Sequence, residues 1–155
     1  HALPRPAGTA LATLGPFTFE GGWVLSSRNG VFGGYSALVP TAGGLRAYSD
    51  LGYILDFAIP TGTIGHLNAR ISRLYPDRDM RKANRDIEAA TMRAGAATIW
   101  LGAESRNAII RIDPTPDDRL TIRPRVMRGW PENKGPEALA ALPDGRFVVL
   151  GESFT

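Results

Sequence analysis

The chain has 155 residues, 43% hydrophobic and 21% charged, a composition that suits one soluble domain with a real core. It has no cysteine, which excludes disulfides and zinc–thiolate sites and leaves the redox compartment open. The net charge of +3 is carried almost wholly by arginine, without the interleaved aromatics of a nucleic-acid groove, and no apolar run approaches the length of a membrane span.

Eighteen glycines and 12 prolines favour short strands joined by turns. The opening, HALPRPAGTAL, lacks a basic start followed by an apolar core, so no signal peptide is visible in it. A removed signal, and with it a periplasmic or secreted protein, is the expectation. Two strand-like segments come first, GTALATLG (8–15) and GWVLSS (22–27). Then comes a unit that recurs. YSALVPTAGGLRAYSDLG spans 35–52, IEAATMRAGAATIWLGAES spans 87–105 and PEALAALPDGRFVVLGES spans 136–153.

Each unit opens on a polar residue followed by alanine: Ser36, Glu88, Glu137. Each then passes through small apolar residues to a glycine turn (Gly43-Gly44, Gly95, Asp144-Gly145), where positive φ is needed. Each ends a second strand on an acid: Asp50, Glu104, Glu152. The spacing from opening to closing residue is 14, 16 and 15, and the openings lie 52 and 49 residues apart. Chance likeness among Ala- and Gly-rich strands is the plainer alternative. A period near 50 is too long for a helical hairpin and suits a four-stranded propeller blade. The first strands, ALVP, AATM and ALAAL, are small and apolar enough to be buried on both faces. Outer strands are expected at YILDFAI (53–59), AIIRID (108–113) and RLTIRPRVM (119–127). Polar loops cover 74–86 and 129–135. No long helix is expected; ARISRLY (69–75) has room for two turns before Pro76 stops it.

The stretches VFGGYSALVPTAGGLRAYSDLG, RDIEAATM with IWLGAESRNAIIRID, and NKGPEALAALPDGRFVVLGE together resemble the phytase-like family, also called esterase-like activity of phytase. The departures are Ile87, where proline is common in that family, and Ala37, where glycine is. The resemblance implies an all-β propeller, with residues 1–155 forming part of one domain and blades opening near 36, 88 and 137. About three blades make half of a six-bladed ring. Three cannot close, because each blade buries its faces on two neighbours. The missing half is expected on the same polypeptide or on another chain.

Carboxylates gathered at one axial mouth repel unless a positive charge sits among them. A hard cation such as Ca²⁺, with six to eight oxygen ligands, is one source. Arginine is the other, with Arg46, Arg85, Arg106 and Arg146 near in sequence. The expected metal ligands are Asp50, Glu88, Glu104, Glu137 and Glu152. Arg85, Lys82, Lys134 and Trp130 are the expected contacts to a small anionic substrate. The functional reading is a phosphoester hydrolase; the competing one is a non-catalytic binding propeller whose acids lock blade to blade. His1 and His66 are too few for a histidine metal site, and no Gly-x-Ser-x-Gly elbow marks a serine nucleophile.

Overall fold

The structure is a computed structural model that describes residues 16–17, 19, 21–61, 66–75, 85–114 and 119–152. Among the described residues the elements with full bounds are ten strands and two short 3₁₀ turns, Glu104–Arg106 and Arg125–Met127. β1 (Tyr35–Thr41), β2 (Gly44–Ser49), β3 (Tyr53–Phe57) and β4 (Ala69–Arg73) form the first sheet, in that order. β5 (Ile87–Met92), β6 (Ile99–Ala103), β7 (Ala108–Ile112) and β8 (Arg119–Ile122) form the second in the same order. β9 (Pro136–Ala141) and β10 (Phe147–Gly151) form the third. Every pairing is antiparallel. The chain is therefore all-β. Among the described residues no helix is long and apolar enough to cross a membrane.

The three repeated units are the first hairpins of the three sheets. Gly44, Gly95 and Gly145 all have positive φ at the hairpin turns, as such turns require. The sheets are stacked through their first strands: β1 packs against β5, and β5 against β9.

Two apolar layers hold the stack together. Val39, Tyr48, Leu74, Ile87, Leu101 and Ile110 fill the space between the first and second sheets. Ala89, Ile109, Met127 and Leu139, flanked by Trp100, Trp130, Phe147 and Val149, fill that between the second and third. Residues along β6 and β7 alternate between these layers: Leu101 and Ile110 go to one, Trp100 and Ile109 to the other. A sheet covered on both faces needs such near-continuous apolar strands. Trp100 meets Phe147 edge-to-face with ring centroids 4.9 Å apart, an aromatic contact across the second layer.

Four expectations need correction. ARISRLY is not helical; Ala69–Arg73 is β4, paired with β3 throughout. Edge pairing of Ile71 opposite Leu55 overrides its weak helical pattern. RLTIRPRVM is not one strand. It stops at Ile122, because Pro124 has no N–H to give a ladder, and continues as the 3₁₀ turn that carries buried Met127 inward. The first strands are not buried on both faces: along β1, Ala37 and Val39 are buried while Leu38 is 53% exposed. Among the described sheets only the second lies between two others. GWVLSS contains an isolated bridge at Trp23 rather than a strand, and GTALATLG lies outside the described residues.

Candidate functional site

The acids occupy equivalent positions, and the strand register shows why. In the first sheet Tyr35 pairs with Ser49, and the register then shifts before Ala37, so Ser36 is the extra residue of a bulge. In the second, Ile87 pairs with Ala103 and the shift leaves out Glu88. In the third, Pro136 pairs with Gly151 and the shift leaves out Glu137. A bulge bends its strand and re-aims the extra side chain. Asp50, Glu104 and Glu152 each follow the residue paired across the strand from that bulge. The backbone repeats as well: Asp50 N donates to Gly34 O at 2.9 Å, and Glu104 N to Asp86 O at 3.0 Å.

Stacking then brings these positions together. Carboxylate oxygens of Asp86, Glu88 and Glu104 lie within 4.8 Å of one another. Those of Glu104, Glu137 and Glu152 do likewise. Glu104 belongs to both groups, so the second sheet's closing acid joins two sheets' carboxylates. Gly135 makes this approach possible. A Cβ there would lie 2.6 Å from the Cα and carbonyl oxygen of Glu104.

The electrostatics follow from the crowding. Burial pushes the Glu88 carboxyl up from its ordinary 4.5 to about 7, helped by the negative charges of Glu137, Asp86, Glu104 and Asp50. Asp50 stands beside these groups without joining either, and its Oδ1 is buried with no hydrogen-bond partner. Hard oxygen donors in excess, one of them orphaned, fit a hard divalent cation.

A profile described as "Phytase-like: Esterase-like activity of phytase" matches residues 30–153. The chain belongs to the phytase-like family. The match spans all three hairpins and every acid described above. No curated protein and no solved structure matches the chain.

In this phytase-like chain the structure brings together four of the five predicted metal ligands: Glu88, Glu104, Glu137 and Glu152. Asp50 is the outlying fifth. Asp86 is the member that sequence reasoning missed. It is 3% exposed and accepts a hydrogen bond from Ser105 Oγ. The signal was present in RDIEAATM, where Asp86 stands two residues before Glu88 on the approach to β5.

The cationic residues divide. Lys134 Nζ lies 3.8 Å from Glu152 Oε2, at the edge of the acidic group. Arg85 directly precedes Asp86, and its Nε is buried without a hydrogen-bond partner. Lys82 lies outside the described residues. Trp130 packs on the layer between the second and third sheets, and its carbonyl accepts a hydrogen bond from Asn107 Nδ2 at 2.7 Å. Two arginines considered as counter-charges are bound elsewhere. Arg46 forks onto Asp56, opposite it across β2 and β3, at 2.6 and 3.0 Å. Arg146 holds Asp144 beside the last hairpin turn.

Proposed function

We propose that this phytase-like chain is a section of a β-propeller whose acidic mouth holds a divalent cation, with Ca²⁺ as the first choice. On this reading the protein hydrolyses phosphoesters of small anionic substrates. The observation that carries it is the pair of carboxylate groups sharing Glu104. Three further features support the propeller. The sheets are four-stranded antiparallel meanders where complete, they stack through their first strands, and they repeat at blade-like spacing. The ring would be completed by a second half, from the same polypeptide or another chain.

Bound there, a divalent cation would supply charge neutralisation and polarisation of a phosphoryl oxygen. The protein's own residues divide the remaining work. Glu104, Glu88, Asp86, Glu137 and Glu152 supply oxygen ligands. Ser105 orients Asp86 by donating to its carboxylate. Arg85 and Lys134, flanking the acids, are placed to meet phosphate oxygens. The oxygen set mixes buried Asp86 and Glu104 with exposed Glu137 and Glu152. On this reading the protein is periplasmic or secreted, where cation sites of extracellular modules work with dissociation constants of about 10⁻⁴–10⁻³ M.

The alternative is a non-catalytic binding propeller with the acids as blade locks. One observation bears on it: cross-sheet hydrogen bonds are made by hydroxyls, from Ser36 Oγ to Ile87 O and from Ala141 N to Thr91 Oγ1. The Ser36 bond sits at the repeat's own opening position, equivalent to Glu88 and Glu137, and so favours this alternative, whereas the Thr91 bond lies outside the repeated positions. The two readings separate in a thermal melt with Ca²⁺ or with chelator, run beside hydrolysis of a generic aryl phosphate. A rise of several degrees with Ca²⁺ and metal-dependent release of phosphate support the hydrolase. A rise without turnover supports a binding module, and no rise removes the cation.

A further inference from the structure

The two ends of the stack present the two halves of the contact that recurs inside it. Counted from the bulge residue of each first strand, equivalent positions face the same way in every sheet. The first and third positions after the bulge face the next sheet. Ala37 and Val39 pack into the layer between the first and second sheets, and Ala89 into that between the second and third. Thr91 Oγ1 meets the third sheet by accepting from Ala141 N. The second and fourth positions face the preceding sheet. Ala90 and Met92 pack against the first layer, and Leu139 belongs to the second.

At the ends of the stack these same positions are open. On the third sheet the positions that face onward are Ala138 and Ala140, both exposed. Their register partners, Leu150 and Val148, are 60% and 46% exposed. On the first sheet the positions that face backward are Leu38, 53% exposed, and Pro40, exposed too. The register sets Ala47 and Leu55 in one row with Leu38. An apolar groove of about 340 Å³ lies on this face, walled by Leu25, Phe32, Leu38, Leu55 and Phe57. No charged side chain stands in either set. Contiguous apolar faces of this kind mark contact surfaces.

We propose that the chain associates head to tail with a second copy of itself, the third sheet of each copy packing on the first sheet of the other. The proposal rests on the propeller reading and deepens it, because it names the other half of the ring. A second copy is the occupant because it brings both missing faces at once. Each face is of the kind that successive sheets of one chain already join, β1 to β5 and β5 to β9. Leu38 stands where Ala90 and Leu139 stand, and Ala138 where Ala37 and Ala89 stand. Two copies of three sheets make six, within the range of closed propellers. Head-to-tail contacts that close under a two-fold rotation use one joint twice and leave no apolar end in water.

Sedimentation velocity of the 155-residue chain over a range of concentrations should show a dimer that dissociates on dilution. Leu38→Lys and Leu150→Glu each set a charge in the joint, and each should weaken the dimer about tenfold or more. Both side chains are exposed in the single chain, so melts of the diluted variants should match that of the diluted wild type. Mixed together, the two variants should dimerise again. One joint is then wild type, and the other carries both the lysine and the glutamate. A dimer that ignores Leu38→Lys is joined through the third sheet alone and overturns the proposal. A wild-type monomer at every concentration overturns it as well, while leaving the propeller reading standing with its second half on the same polypeptide. Association that runs past the dimer into filaments overturns both, because an open stack of sheets does not close into a ring.

Discussion

Glu88 is the residue on which the charge balance turns. Its carboxyl is raised to about 7, first by burial and then by four neighbouring acids. A carboxyl raised in the folded state binds its proton more tightly there than in the unfolded chain. Between pH 4.5 and 7 the folded state therefore holds the extra proton, and stability falls as pH rises through that window. Without a cation, Glu88→Gln should flatten this slope. It should also raise the melting temperature at pH 8 by about 2–4 °C, some 1 kcal/mol once solvent screening of a partly exposed group is allowed for. A lock made by an ionised Glu88 predicts the opposite sign, a fall in melting temperature. Scanning calorimetry of both proteins from pH 5 to pH 8 decides between them. A cation reverses the logic, because it competes with the proton for the same oxygens. The melting-temperature rise produced by Ca²⁺ should accordingly be larger at pH 8 than at pH 5. At this scale the sequence was informative about which acids matter, since position in the repeat marked Glu88, Glu104, Glu137 and Glu152. Asp86 was visible only as the acid two residues before Glu88 in RDIEAATM; it lies outside the repeat's two marked positions, and its place on the approach to β5 is what brings it in.

At the scale of the element, the bulge and the close approach do the positioning. Ser36, Glu88 and Glu137 were legible as repeats of one another. That each is the extra residue of a bulge was not, because a bulge depends on how two strands pair rather than on either strand alone. β4 shows the same limit: Ala69–Arg73 has the local pattern of a short helix, and pairing with β3 decides otherwise. Gly135 offers the cleanest test of element packing. In Gly135→Ala the new Cβ would meet Glu104 backbone, which has no rotamer to give. A loss of about 1–3 kcal/mol is expected, the usual cost of overpacking, together with weaker cation binding as the third sheet's acids move away from Glu104. Leu101→Ala is the matching test of the layer between the first two sheets. Leu101 is fully buried there, and removal should cost about 2–5 kcal/mol without altering cation binding in the protein that remains folded. Urea unfolding of both variants, with Ca²⁺ titrated into each, separates packing from site geometry.

The whole molecule is a stack of sheets in which sequence-distant acids become neighbours. The second sheet is covered on both sides and carries the apolar load, while its closing acid, Glu104, lies within 4.8 Å of carboxylates from its own sheet and from the third. Periodicity made the stack legible, because units some 50 residues apart that share opening, turn and closing residue fold as copies. Convergence was legible only as a consequence of that repetition, and the choice of Glu104 as the shared member required the register. The account therefore rests on Glu104 more than on any other residue, and calorimetric titration of Ca²⁺ at pH 8 into the wild-type protein and Glu104→Gln tests it most directly. The wild type should give a saturable isotherm. Glu104→Gln should keep its melting temperature in chelator or raise it slightly, because it removes one of the charges that crowd Glu88, and should lose affinity about tenfold or more, as expected for one charged ligand shared by two groups. Indistinguishable isotherms from the two proteins, or no binding heat from the wild type, would contradict it.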